Sequence, residues 1–560
     1  MDRNIKLSSP APAAEIHAEQ APWTTMQIPR REGWLASLQW TVAGTLALLI
    51  IFGLGLRISQ LGAIGFAEDE MNKLDAVRAY QRRDFSANAE HPMMMKLFMY
   101  ASIAAADAWK AAGGRPVSDE AALRFPNALF GALTVIPLFL LTSAFFGRWT
   151  GLLAAAFWAG GLNAIALNRI GKEDTLLVFF MLFAFYFYLH AKLTSPVFVS
   201  TRKKNYFLSA AAFALMIASK YFPHYLGLNM LYHHIFHVQK DEPGDPSGKT
   251  PQLFYILIIV LFVIANPAML LPHVWEYLNA YLGERLLVHS GYLFGDTLYK
   301  NNMSSTPFWG TPIYFYTLYL AIKMPLLVLV AFLAGLAVSI KWWRHKGNAF
   351  LIFMFLFWIV PYSLMGGKWL RYTLSLMPFV YMLAAVGVIA IASLVQSWFK
   401  GGKNAMPAVS MAVVLLFTGL PAWQALVNGP HYALYTNALA GDKAGYFFPH
   451  DEFYDDGLRE AIKFVCDSAP KGATIGHETP AVARYYLKRF GRNDLNPRVI
   501  SAADFQVGSL TEPAYIVVQR GRTYFENRAK VAFVRSTFAK VHEVRVKGLV
   551  AAEVFTNRAD

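Results

Sequence analysis

The residues best suited to chemistry fall in one stretch, Gly65 to Lys96, which reads GFAEDEMNKLDAVRAYQRRDFSANAEHPMMMK. It is the first polar segment after a long apolar run, and the adjacent carboxylates Asp69 and Glu70 open it. An acid pair at the mouth of a membrane bundle is costly unless something uses it. A carboxylate placed there can take a proton from an attacking hydroxyl. An acidic helix cap or a solvated loop is the plain alternative. Adjacent side chains point in different directions, so Asp69 and Glu70 need not share a role. His91-Pro92 and Lys96 follow before the chain turns apolar again. On the topology derived below, Lys96, Arg169, Lys172, Lys220, Arg285, Lys368 and Arg371 share the face of that pair. A cationic pocket beside a carboxylate at a membrane surface suits the phosphate of a lipid-anchored substrate.

The elements that must position these residues are membrane helices. The 560 residues are 56% hydrophobic and only 16% charged, with mean hydropathy +0.34, and the apolar residues come in long uncharged blocks. That excludes a soluble globular chain. The first 35 residues are polar and lack the short apolar core and cleavage site of a signal peptide, so the first apolar run is expected to stay as an anchor. Runs of crossing length lie at 36–56, 127–146, 150–168, 174–191, 253–272, 312–340, 349–366, 372–397 and 406–427. Two weaker ones at 205–219 and 222–238 bring the expectation to about eleven crossings. Basic residues at Arg202-Lys203-Lys204, at Lys341, Arg344 and Lys346, and at Lys400 and Lys403 fall on one side together with Arg30-Arg31. That side is read as cytoplasmic. The expected organisation is a cytoplasmic arm at 1–35, a transmembrane domain at 36–428 with outer loops 57–120 and 273–311, and an outer α/β domain at 429–560. In that last region helix-like pieces alternate with ATIGH, AYIVVQRG and two strand-like pieces near 540–555. A charge of +15 is explained by cytoplasmic loops and headgroup contacts, so nucleic acid is not an expected partner. The single Cys466 excludes an intramolecular disulfide and a cysteine-based zinc cluster.

The order of motifs resembles the GT-C glycosyltransferases of the protein O-mannosyltransferase and aminoarabinose (lipid A) transferase type. Asp69-Glu70, His91-Pro92 and Lys96 resemble that family's DE…HP…K pattern. LRFPNALFGALTVIPLFLL, Arg169 with Asp174, SKYF at 219–222, LRYTLSLMP at 370–378, HYALYTNALAG at 431–441 and FYDDGLREAIKFV at 453–465 follow in order. The resemblance implies a polytopic α-helical membrane protein of GT-C fold with a C-terminal soluble α/β domain. It implies inverting transfer of one sugar from a polyprenyl-phosphate donor to an acceptor on the outer face of the membrane, and the absence of cysteine pairs with the polar amino terminus makes the cell inner membrane the expected location. Asp69 would be the base, with Glu70 beside it. Lys96, Arg169, Lys220 and Arg371 would hold the donor phosphate, and His91, Asp174, Tyr221 and Lys368 are further loop candidates. The acceptor stays open between protein, lipid A, another glycolipid and a glycan. If it were a phosphate, Asp69 would orient it rather than take a proton.

Two further expectations concern metal and function class. A divalent ion could be held by His224 with Glu70 and His91, since oxygen and imidazole ligands suit several metals. His233, His234 and His237 are read as bland. The alternative functions are a lipid-linked sugar transporter or flippase and a surface-glycan polymerase or ligase. A transporter would show paired half-sequences with interrupted helices in matching positions, and no such symmetry is visible.

Overall fold

The computed structural model of the protein describes residues 32–194, 198–236, 250–283, 291–398 and 406–558. Most of the expected arm, with Arg30-Arg31, lies outside these residues, as do His237, Arg285, Lys400, Lys403 and part of the 273–311 loop.

The chain opens with α1 (Glu32–Ile58). The region 57–120, expected as an outer loop, holds two helices, α2 (Glu68–Gln81) and α3 (Met93–Ala111). The sequence of α3 is apolar enough to leave Leu97, Phe98, Tyr100 and Trp109 exposed. Next come α4 (Asp119–Leu133) and α5 (Val135–Phe146), then α6 (Arg148–Ala159) and α7 (Leu162–Asn168). The last two are bent by 55° at Gly160-Gly161, a glycine pair being a common site of helix kinks. The region 174–270 carries α8 (Asp174–Leu193), α9 (Val199–Ser219), α10 (His224–Phe236) and α11 (Gln252–Ala265), followed by α12 (Pro272–Leu282) and a hairpin of β1 (Tyr292–Phe294) and β2 (Thr297–Tyr299). The expected run 312–340 is two helices, α13 (Phe315–Lys323) and α14 (Leu326–Lys341), because Pro325 has no N–H with which to continue the ladder. The bundle closes with α15 (Lys346–Leu364), α16 (Met377–Trp398) and α17 (Met406–Asn428). Helices α14 and α16 cross at Gly335 and Gly387, where a Cβ would fall 1.8 Å and 1.9 Å from a backbone oxygen of the facing helix. Small residues at a membrane crossing let the backbones approach this closely.

Among the described residues six helices are long and apolar enough to cross a membrane, and the bent α6–α7 pair makes a seventh. The protein is a multi-pass membrane protein. The expected count of eleven exceeds this because α10, α11 and α14 are short, α9 begins with a polar turn, and 312–340 is broken.

The last region contains α18 (Pro449–Phe453), α19 (Leu458–Ser468), α20 (Pro480–Arg489) and α21 (Arg528–Thr537). These flank β3 (Thr474–His477), β4 (Asn496–Val499), β5 (Ala514–Gln519), β6 (Ala539–Val546) and β7 (Leu549–Thr556). The sheet order is β4-β3-β5-β7-β6, parallel across β4, β3 and β5 and antiparallel across β5, β7 and β6. Apolar residues of α21 (Val531, Val534) pack with Ile516, Val518 and Phe555 of the sheet in one cluster. Those of α19 and α20 share another cluster with Phe66, Met71, Leu74, Val77, Met95 and Met99. The second core is therefore continuous with α2 and α3, and the sheet region is fixed to the helix whose first turn carries Asp69.

Candidate active site

Three acids in succession, Glu68, Asp69 and Glu70, form the first turn of α2, where negative charge is favoured by the helix dipole. Successive helical side chains are rotated by about 100°, and each of the three meets different partners. Glu68 accepts a hydrogen bond from Arg522 Nη1 at 2.7 Å. Glu70 is fully buried, taking Arg124 Nε (2.7 Å) and the Gly171 N–H (2.8 Å) on one oxygen and Arg124 Nη2 (2.6 Å) and the Ala67 N–H (3.0 Å) on the other. All four acceptor sites of that carboxylate are filled by fixed donors. The expectation that Glu70 takes part in chemistry or holds a metal is corrected accordingly. Glu70 ties α2 to α4 and to the turn 169–174.

Asp69 faces a different set. Its Oδ2 accepts Tyr454 O–H at 2.7 Å, Arg371 Nη1 at 2.9 Å and Lys172 Nζ at 3.0 Å. Among the described residues no donor reaches Oδ1, and the side chain is 29% exposed. Burial would raise this carboxyl, but Lys172, Arg371 and the Tyr454 hydrogen bond outweigh it and hold it well below the usual 3.8. Burial would likewise lower Arg371 and Lys172, and Asp69 beside them raises both.

A second ion pair stands close by. Lys220, the C-cap of α9, donates to Asp174 Oδ1 at 2.6 Å, whereas Asp174 Oδ2 is buried without a partner. The Tyr372 ring lies between the two cation sites, 5.1 Å from Lys220 Nζ and 5.7 Å from the Arg371 guanidinium carbon. Arg371 also stacks over Trp369 at 5.3 Å. The centre thus draws on the α2 N-terminus, the turn before α8, the end of α9, the turn Leu370–Ser375 and the turn at 454–455. Three cations and one partly exposed carboxylate oxygen converge on it. Such a group can bind a phosphate through Lys172, Lys220 and Arg371 while Asp69 accepts a proton.

The other expected residues go elsewhere. Lys96 Nζ donates to the carbonyls of Ala87 (3.2 Å), Asn88 (2.7 Å) and His91 (2.9 Å), so its three donors pin the loop before α3. Arg169 donates to the carbonyls of Leu56, Arg57, Ser59 and Gln60, capping the C-terminus of α1. Lys368 Nζ donates to the Thr311 and Met365 carbonyls. Tyr221 O–H meets the Met269 sulfur, and its oxygen accepts from Asn266. Neither Lys96 nor Arg169 is placed to hold a donor phosphate. His91 lies 3.9 Å from Glu173, and burial holds its imidazole well below the usual 6.5. His224 packs its ring on Phe222 and Tyr225. Among the described residues no three His, Cys, Asp or Glu side chains are grouped to hold a metal, so the His224–Glu70–His91 expectation does not fit.

Sequence reasoning missed Tyr454 and the role of Tyr372. Tyr454 and Asp455 both have left-handed backbone, at φ +47° and +66°, which non-glycine residues adopt at a cost of about 1–2 kcal/mol each. Asp455 fixes the turn. It accepts Gln519 Nε2 (2.9 Å), Arg522 Nε (2.7 Å) and the Glu68 N–H (3.0 Å) and pairs with Arg522 Nη2. No residue type announces such a turn. The stretch FYDDG is its only trace in the sequence, and the glycine there serves as the N-cap of α19.

The fold is that of the GT-C glycosyltransferases. Residues 108–270 match the family model described as dolichyl-phosphate-mannose-protein mannosyltransferase, a segment that includes Arg124, Lys172, Asp174 and Lys220. Among solved structures the chain is similar to ArnT from Cupriavidus metallidurans bound to undecaprenyl phosphate, with 12% identity, 95% of this chain and 99% of that chain covered, and a TM-score of 0.51. The apo state of the same ArnT matches at 14% identity, 93% and 98% coverage and a TM-score of 0.51. The apo Archaeoglobus fulgidus oligosaccharyltransferase matches at 11% identity, 85% and 69% coverage and a TM-score of 0.48. No curated protein sequence matches.

Proposed function

We propose that this protein transfers one sugar, with inversion, from a polyprenyl-phosphate donor to an acceptor on the outer face of the cell inner membrane. The observation that carries the reading is the half-satisfied Asp69, one oxygen held by Lys172, Arg371 and Tyr454 and the other unpartnered. A carboxylate held so far down is a weak base. A donor phosphate entering the centre competes for Lys172 and Arg371, and losing those cations moves Asp69 back toward a usable basicity. Asp69 then takes the proton of the acceptor hydroxyl as its oxygen attacks the anomeric carbon. The bond between that carbon and the phosphate oxygen breaks through an oxocarbenium-like state. The lipid phosphate leaves as an anion on Lys172, Lys220 and Arg371, and no proton donor is needed for so good a leaving group. The undecaprenyl phosphate bound in the ArnT structure supports a lipid-phosphate donor here. This reading keeps the expected eleven crossings and places residues 429–560 outside, together with the Asp69 centre.

The test is release of free polyprenyl phosphate by purified protein given a panel of polyprenyl-phosphate sugars and a membrane extract as acceptor source. Release by the wild type and not by Asp69→Asn establishes the reaction and identifies the donor sugar. No release with any donor overturns the reading.

A further inference from the structure

The far side of α2 carries a second arrangement that the transfer centre does not use. Met71, Asp75, Arg78 and Arg82 lie roughly 180–240° around the helix from Asp69, at about 100° per residue. They form one wall of an open cleft of about 1140 Å³, and α20 forms the other with Arg484, Lys488 and Arg489. Arg78 stands in the last turn of α2 with Arg82 four residues on as its C-cap, and Arg484 and Lys488 are spaced i,i+4 on α20. Like charges four residues apart repel within α20, and the two cation pairs face each other across the cleft. Five cations meet only two carboxylates in the lining, Asp75 and Asp119.

Those acids do little to neutralise the cleft. Both stand 3.9 Å from Arg78, and Asp119 is also taken by Tyr485 O–H at 2.7 Å. Arg489 is paired with buried Glu120 at 2.8 Å. Among the described residues Arg82, Arg484 and Lys488 have no ion-pair partner, and all three are exposed. The wall behind them is rigid. Tyr486 O–H donates to Glu120 and its oxygen accepts the Phe66 N–H, both within 2.9 Å. The Tyr485 ring has the Arg78 and Arg489 guanidiniums 5.6 Å and 6.0 Å from its centroid. The cations are therefore presented by packed helices rather than by a loose loop.

We propose that this cleft is a second binding site, separate from the transfer centre, for a ligand carrying phosphate groups, gripped between the cation rows of α2 and α20. Arg is suited to bidentate contact with phosphate, and Lys488 adds a point charge. Two sources share that chemistry, a phosphorylated saccharide in solution and a phospholipid headgroup. The proposal does not depend on Asp69 being a base, because the two sites use opposite faces of one helix.

The test uses full-length protein in nanodiscs of phosphatidylcholine, titrated calorimetrically at low and high salt. One probe is inositol hexakisphosphate. The other is short-chain phosphatidylglycerol, with short-chain phosphatidylcholine as the neutral control. The variant is the pair Arg484→Glu and Lys488→Glu, both exposed, with Arg484→Gln and Lys488→Gln as a second variant should charge reversal disturb folding. Wild-type binding that weakens with salt and falls at least tenfold in either variant supports the site. Binding of the soluble probe identifies a saccharide-type source, and selective binding of the phosphatidylglycerol identifies a headgroup. Binding of neither probe, or equal binding by wild type and variants, overturns the proposal.

Discussion

Lys96, Arg169 and Lys368 are held by backbone carbonyls, whereas Lys172, Lys220 and Arg371 are held by carboxylates. All six are shielded polar cations close to the same face of the bundle, yet the two sets have different capacities. A cation bound to two, three or four carbonyls closes a loop or caps a helix, and handing it to a ligand would unmake that backbone. A cation bound to a side-chain carboxylate can be shared with an incoming anion, because the carboxylate can rotate or take a proton. The adjacent acids repeat the contrast. Glu70 is saturated by fixed donors, and Asp69 keeps one oxygen open.

The largest effect that would break this comparison is expected at Glu70. Glu70→Gln leaves Arg124 as an uncompensated buried charge and should cost about 3–5 kcal/mol of stability, read as a lowered thermal unfolding midpoint, with turnover per folded molecule little changed. A variant that folds like the wild type and is inactive would put Glu70 in the chemistry. Asp69→Asn should do the reverse, lowering turnover by roughly 100-fold or more while the unfolding midpoint stays close to wild type. Arg371→Gln should reduce kcat/KM for the donor by on the order of 10², while Lys96→Met lowers the yield of folded protein and leaves the donor KM of the survivors unchanged. If Lys96→Met instead raised the donor KM in well-folded protein, the carbonyl-bound set would have to be counted as ligand-binding.

The smallest effect is a shift in pH dependence. Tyr454→Phe removes one of the groups that lower the Asp69 carboxyl, so its pKa should rise toward the ordinary 3.8. The acid limb of turnover, where Asp69 is lost by protonation, should then begin at higher pH, with kcat changed only several-fold. The sign for stability is the same. A carboxyl depressed on folding contributes stability that is present above its unfolded pKa and lost as pH falls through the folded one. The wild type should therefore gain more than Tyr454→Phe on going from pH 3 to pH 5 in chemical denaturation. An unchanged acid limb would remove Tyr454 from the Asp69 environment. Glu478, which directly follows β3 and accepts hydrogen bonds from Ser501 and Asn527, has the opposite sign. Burial raises it to about 7, so its stabilising contribution is full below 4.5 and lost as pH rises through 7, and Glu478→Gln should flatten that dependence.

The sequence by itself determined the membrane class, the positions of most helices and the order along the chain of most helices and strands after residue 449, and it led to the expectation that Asp69 and the cationic turns share one face. These follow from hydrophobic period, basic-residue asymmetry and the order of local motifs, all of which are written along the chain. It marked Asp69 because an acid there is costly, and it could not separate Asp69 from Glu70, because their difference lies in which fixed donors surround each oxygen. It placed Lys96 and Arg169 on the donor phosphate because their charges are visible while the carbonyls that bind them have no residue type. It missed α3, whose apolar run follows directly on the polar loop, and β4, a four-residue strand with little pattern to read. Only the tertiary structure decided which cations remain exchangeable and brought Tyr454 to Asp69 across 385 residues. The reason is physical. Hydrogen-bond satisfaction and a left-handed turn depend on backbone groups brought together by packing, and identical backbone leaves no mark in the order of side chains.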